Sequence, residues 1–143
     1  SEIKIINSKF INIGNDAIDG SGSNIFIKNC YFNNIKDKAI SAGENSQFQI
    51  EEGIIENSEI GIVTKDFSNI TVKNIKLKNN SLDFSSFIKK DFYGNSKAVF
   101  YNTTLYKYLI EEGSEIIGLE NITYSTKVEK KLYGNLYGKA SEK

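Results

Sequence analysis

Asp16 and Asp19 are followed 22 residues later by Lys38 and Ser41, and Gly22 is followed at the same interval by Glu44 and then by Asp66, with Lys65 beside it. If the chain stacks at that interval, four carboxylates and two lysines gather on one side of it. Carboxylate oxygens suit sugar hydroxyls or a hard cation such as Ca²⁺. The candidate carbohydrate or ion site is therefore Asp16, Asp19, Lys38, Glu44, Lys65 and Asp66, with no catalytic role and no metal set assigned. The same residues also admit a plainer reading, a cross-coil ion pair from Asp16 to Lys38 at a solvated bend, worth at most about 1 kcal/mol. Further along, Ile60 and Leu82 take the position held by Asp16 and Lys38. A position that changes from charged to apolar along the stack means that the N-terminal end differs from the rest.

Composition narrows the chemistry. All 18 basic residues are Lys, balanced by 18 acidic ones, and the chain contains no Arg, His, Met, Trp or Pro. A nucleic-acid binder would carry a basic excess and would use the planar fork of Arg, so that class is disfavoured. No apolar run has the eighteen or more residues that a membrane-spanning helix needs, and no signal peptide is visible. The chain begins at Ser1, which suggests a processed product or a piece of something longer, so export is not read from a missing leader. Cys30 has no second cysteine to pair with and reads as a buried thiol in a coil wall or as an accidental crosslinking site. The 22 Ile residues reflect an AT-rich coding bias in part, but abundant Ile without Pro also suits regular β structure.

What would position the six residues is a repeat. An apolar-x-apolar-x-polar pattern occurs at Ile3, Ile5, Asn7 and returns at Ile25, Ile27, Asn29, then at Phe48, Ile50, Glu52 and at Ile70, Val72, Asn74. Two later copies are expected at Ala98, Phe100, Asn102 and at Ile117, Leu119, Asn121. The first three intervals are 22, 23 and 22 residues; the last two, 28 and 19, imply an insertion followed by a shortened coil. Phe10, Phe32, Ile55, Leu77 and Leu105 form a second apolar column, and Ile18, Ile40, Ile62 and Phe84 a third. Three apolar positions per repeat, each with period-two alternation, mean three short strands per coil. One such coil cannot bury its own interior, whereas stacking like on like makes a continuous core. The fold class is therefore all-β, a right-handed parallel β-helix (solenoid) with coils of about 22 residues.

The Asn position has a mechanism. Asn tolerates a left-handed backbone at a bend, and its amide can bond the Asn one coil away. Asn7, Asn29, Asn74, Asn102 and Asn121 read as a ladder interrupted at Glu52. Residues 1–122 are assigned to the coils, with an insertion at 87–96 (FIKKDFYGNS) expected to protrude as a loop. Residues 123–143 form a charged, Tyr-rich tail that could cap the last coil through Leu132, Tyr133, Leu136 and Tyr137. At the other end, Glu2 to Asn7 is already a full strand position with nothing before it to cover its edge. Free strand edges recruit partners, so pairing with upstream chain or with a second copy, end to end, is expected.

Two segments, NDAIDGSGSNIFIKNCYFNNIKDKAISAGENS and IGIVTKDFSNITVKNIKL, resemble right-handed β-helix repeat proteins of the pectate-lyase-like superfamily. They are most similar to repeats of bacterial surface proteins in which the β-helix accompanies a spore-coat CotH-like region, and KKLYGNLYGKAS looks like the C-terminus of such proteins. The resemblance implies an extracellular or cell-surface location and contact with acidic polysaccharides, which members of the superfamily bind, cut or epimerise; others are structural spikes and adhesins. Catalytic members neutralise a sugar carboxylate, remove the C5 proton and protonate the leaving group or opposite face, using Ca²⁺ or Arg together with Lys, Arg, His or Tyr. This chain lacks Arg and His, and without Pro and His it has no Asp-Pro-His-Asp signature. The expectation is a non-catalytic extracellular solenoid with a structural or carbohydrate-contacting role, without a cofactor unless Ca²⁺ binds. The alternative is a polysaccharide lyase or C5-epimerase acting on acidic glycans.

Overall fold

The computed structural model describes residues 2–135. The first coil holds β1 (Glu2–Ile6), β2 (Lys9–Ile13) and β3 (Ile18–Ser21), and the second β4 (Asn24–Ile35) and β5 (Lys38–Gly43). The third holds β6 (Gln47–Glu56) and β7 (Ile60–Lys65), and the fourth β8 (Asn69–Lys78) and β9 (Leu82–Phe87). β10 (Lys97–Tyr101) and β11 (Tyr108–Ile110) make the fifth, after which come β12 (Glu115–Ile117) and a helix, α1 (Val128–Asn135). Strands of successive coils pair in parallel. One sheet runs β1-β4-β6-β8-β10-β12, with β2 also on β4, and the other runs β11-β9-β7-β5-β3. The molecule is a parallel β-solenoid of about five turns.

Register follows the apolar columns. Ile5, Ile27, Ile50, Val72 and Phe100 stack, as do Phe10, Phe32, Ile55 and Leu77, and Ile18, Ile40, Ile62 and Phe84. All but the first-coil members Ile5 and Phe10 are fully or nearly fully buried, in one cluster. Alternation along each strand turns every second side chain inward, and stacking places inward on inward. The Phe10 and Phe32 rings stack face to face with centroids 4.9 Å apart.

The last repeat differs from the sequence expectation by one residue. Ile116, not Ile117, stands in the column of Ala98, while Ile117 pairs with Val99 and is 44% exposed. Both are Ile, so the pattern could not choose between them. Gly118 then takes φ 93°, at a point where a Cβ would lie 2.0 Å from the Phe100 carbonyl oxygen, and past this bend Leu119 still reaches the core. Leu105 also packs on the core, but from an irregular segment rather than a strand.

Corners are made by left-handed residues. Asn7, Asn29, Glu52, Asn74, Asn102 and Asn121 all have φ between 44° and 56°. Asn29 donates from Nδ2 to Asn7 Oδ1, Asn74 to Glu52 Oε1, and Asn102 to Asn74 Oδ1, at 2.8, 3.1 and 2.7 Å. Each donor faces the preceding coil. A carboxylate accepts but cannot donate, so Glu52 receives Asn74 and has nothing to give Asn29: the ladder breaks on one side only. A second ladder lies at the next corner, where Asn34 donates to Asn12 and Asn79 to Asn57 at 2.7 Å, while Asn57 donates to Asn33 at 2.9 Å.

α1 lies on the outer face of the second sheet. Val128 and Leu132, one turn apart, pack on Ile60, Val63 and Phe87. This explains why the position of Lys38 becomes apolar at Ile60 and Leu82: the helix covers that part of the face. Leu132 thus sits on the flank of the solenoid, while the side chains of Tyr133, Leu136 and Tyr137 lie outside the described residues. Below β11 the returning chain adds one bridge, with Ser125 N–H donating to the Ile110 carbonyl and Glu112 N–H to the Ser125 carbonyl. Phe87 closes β9 and is buried, and the chain leaves the barrel after it, carrying Phe92 at 80% exposure. No described helix is long and apolar enough to cross a membrane.

Candidate functional site

The six candidate residues fall on the outer face and corner of the second sheet, at its N-terminal end, but they do not share one set of contacts. Asp16 Oδ1 accepts from the Lys38 main-chain N–H at 3.0 Å and lies 3.6 Å from Lys38 Nζ, which is also 3.2 Å from Asp37 Oδ1. The expected solvated bend is not there: the Lys38 side chain is only 8% exposed. Burial raises the Asp16 carboxyl above the ordinary Asp value, and the opposing pull of Lys38 does not cancel it. The surface-pair figure therefore does not carry over to this pair, whose attraction is offset by desolvation.

Asp19, on β3 beside Ser41, remains exposed. Lys65, at the end of β7, crosses the bare Cα of Gly43, where a Cβ would come within 2.9 Å of its Cε. Gly43 is thus the residue that lets the lysine lie flat on the sheet. Burial lowers the Lys65 ammonium pKa, Lys89 and Lys38 lower it further, and Asp19 and Asp66 pull the other way. Ser41 Oγ, buried on this sheet, has no hydrogen-bond partner.

At the corner, Gly22, Glu44 and Asp66 share left-handed φ values of 57°, 49° and 52° and are joined by main-chain bonds from Gly22 N–H to the Glu44 carbonyl and from Asn45 N–H to the Asp66 carbonyl. Glu44 meets Lys90 of the protruding loop at 3.0 Å, and that contact holds its carboxyl below the ordinary Glu value. Asp66 is fully buried. Its Oδ1 accepts from the main-chain N–H groups of Lys89 and Lys90 at 2.7 and 2.9 Å, so it clamps the base of the loop, while Oδ2 has no partner. The loop is tied again by Phe67 N–H donating to the Gly94 carbonyl.

These carboxylates do not converge on one point. Asp16 is spent on Lys38, Glu44 on Lys90, and Asp66 on amide groups, and no cluster of three or more acidic or thiol groups that could hold a metal occurs among the described residues. The donor set does not fit a Ca²⁺ cage, which needs about six to eight oxygens directed at one point. For acid–base work the cluster offers one amine whose pKa burial lowers, Lys65.

Sequence reasoning missed Asp83. It is buried on β9, accepting from Asn80 Nδ2 with one oxygen and from the Tyr106 and Lys107 main-chain N–H groups with the other. It fixes the turn that carries the fifth coil into β11. Comparison with protein families, with curated proteins and with solved structures finds no match for this chain.

Proposed function

We propose that this chain is a non-catalytic extracellular or cell-surface β-solenoid, structural or carbohydrate-contacting, of the kind found in pectate-lyase-like and CotH-associated surface proteins. The observation that carries it is the outer face of the first sheet. Lys4, Phe26, Gln49 and Thr71 follow one another across that sheet, and beside them run Ile6, Lys28, Glu51, Lys73 and Tyr101. Neighbouring rows sit one interstrand spacing apart, about 4.8 Å. Aromatic rings, amides and lysines on a flat, regular face suit the apolar ring face, hydroxyls and carboxylates of an acidic glycan. Among the described residues β1, β2 and β3 each pair on one side only and Ile3 is 51% exposed, an edge that upstream chain or a second copy laid end to end would each cover.

A polysaccharide lyase or C5-epimerase is the second reading, favoured by Lys65, whose lowered pKa would suit removal of a C5 proton. Alginate, pectate and chondroitin, each with and without Ca²⁺, separate the two. Binding without turnover, weakened in Tyr101→Ala and Phe26→Ala, is the expected result. An unsaturated uronate product that disappears in Lys65→Met would overturn it in favour of the lyase.

A further inference from the structure

The fifth coil is short on one side. Between the paired columns the chain runs from Asn74 to Phe84 in the fourth coil, but from Asn102 to Tyr108 in the fifth, four residues fewer. It cuts the corner, and β10 ends at Tyr101, so the second half of β8 has a strand partner only on the β6 side among the described residues. Ile75 N–H is met by a hydroxyl, Thr103 Oγ1, at 3.3 Å. Main-chain groups alternate sides along a parallel strand. Lys78 offers its carbonyl to Asn57 on the third coil, so Ile75 and Leu77 face the fifth-coil side, where the N–H and C=O of Leu77 have no bonded strand. Beside this edge lie two adjoining hollows of about 680 and 350 Å³, which share Leu77, Lys78 and Tyr106.

We infer that the edge of β8 at Ile75–Lys78 takes up an extended peptide segment carrying acidic residues, which supplies the strand the fifth coil omits. An unpaired strand edge offers a donor and an acceptor in peptide register, which a polypeptide can match and a sugar chain cannot. The charge selects the sign: Lys76, Lys78 and Lys107 border the hollows against two carboxylates, Glu52, which accepts from Asn74, and Asp83, which is buried and bonded to Asn80 and two main-chain N–H groups. None of the three lysines is within ion-pair distance of a carboxylate among the described residues. Lysines on an edge keep two such edges apart, so an incoming strand must bring the opposite charge. Tyr106, 74% exposed, supplies an apolar wall. This site is separate from the flat face of the first strand halves and does not depend on the glycan reading.

The test uses the full chain, labelled for amide-resolved NMR, and four probes: the blocked peptide acetyl-EVTVEV-amide, its counterpart with lysine for glutamate, a version N-methylated on both edges, and trigalacturonate. The acidic peptide is expected to slow exchange of the Leu77 amide by about tenfold or more, since that N–H gains a partner. It should bind about tenfold tighter than the lysine form at low salt, with the order reversed in the doubly substituted Lys76→Glu, Lys78→Glu chain. Both lysines are exposed, so that chain folds as the parent does. The N-methylated peptide should not bind. Binding of the acidic peptide with unchanged Leu77 exchange, equal binding of the N-methylated form, or no binding by any peptide overturns the inference. So does trigalacturonate acting on the same residues with the same strength, which would reassign the groove to acidic glycans.

Discussion

Replacing Glu52 with Asn should make the protein more stable, and the gain can be worked out from the corner it occupies. Glu52 holds φ 54°, a left-handed conformation that a long side chain adopts at a cost and that Asn adopts readily. Relief of that strain is worth about 0.5–1 kcal/mol. The introduced carboxamide would keep an oxygen for Asn74 and add an N–H aimed at Asn29 Oδ1, where the present carboxylate has none. One more exposed hydrogen bond adds about 0.5 kcal/mol. The sum is about 1 kcal/mol or slightly more, a rise in Tm of about 3–4 °C for a chain of this size. Thermal melts followed by circular dichroism measure it, with Glu52→Gly as the control that relieves the strain but removes the Asn74 acceptor and adds no donor. In an Asn29→Gly background, which keeps the bend but removes the acceptor, the gain should fall by about 0.5 kcal/mol. A Glu52→Asn protein no more stable than Glu52→Gly, or a gain unaffected by Asn29→Gly, would refute the one-sided break in the ladder.

Ile50→Asp buries an unpaired charge in the central column and should abolish cooperative folding; a melt like the parent's would mean the register is wrong. Lys65 has a folded pKa below its unfolded value, so the unfolded chain binds more protons between the two. Stability should therefore rise with pH through that window toward 10.5 relative to Lys65→Met, and parallel stability–pH curves would count against the burial of this lysine. Trypsin should cut first at Lys89 or Lys90. Asp66→Gly, which keeps the left-handed bend but removes the clamp, should speed that cut by about tenfold or more. First cleavage inside residues 25–75 would contradict the solenoid order of stability.

The coil columns were legible because burial imposes one requirement, an apolar side chain, at one spacing, and Ile27, Ile50 and Val72 meet it without ambiguity. The second Asn ladder is equally legible, since Asn12, Asn34, Asn57 and Asn79 repeat at 22, 23 and 22 residues. Register at Ile116 and Ile117 was not, because two adjacent Ile residues satisfy the pattern equally. The polar cluster was legible as proximity and not as role. Asp66 and Asp83 look like surface carboxylates in the sequence, yet each is buried with main-chain N–H groups 23 or 24 residues away, and amide groups leave no trace in residue identity. The helix was concealed for the same kind of reason: Val128 and Leu132 are two apolar residues in a charged tail, and only the bare patch at Ile60, Val63 and Phe87 gives their spacing a meaning.

A solenoid's cooperativity is set by the coupling between adjacent coils, and here the coupling is uneven. The third and fourth coils grip along both halves of β8, while the fourth and fifth grip along Lys97–Tyr101 in one sheet and Tyr108–Ile110 in the other. Among the joints between complete coils, that is where the stack would come apart first, shedding its C-terminal end as a unit. α1 spans it. Threaded from beyond the fifth coil, the helix grips Ile60 and Val63 of the third and Phe87 of the fourth, and so acts as a splint across this weak joint. Peeling the last coil then requires the helix to let go of a coil two turns away, which ties the fraying end to the most regular part of the stack.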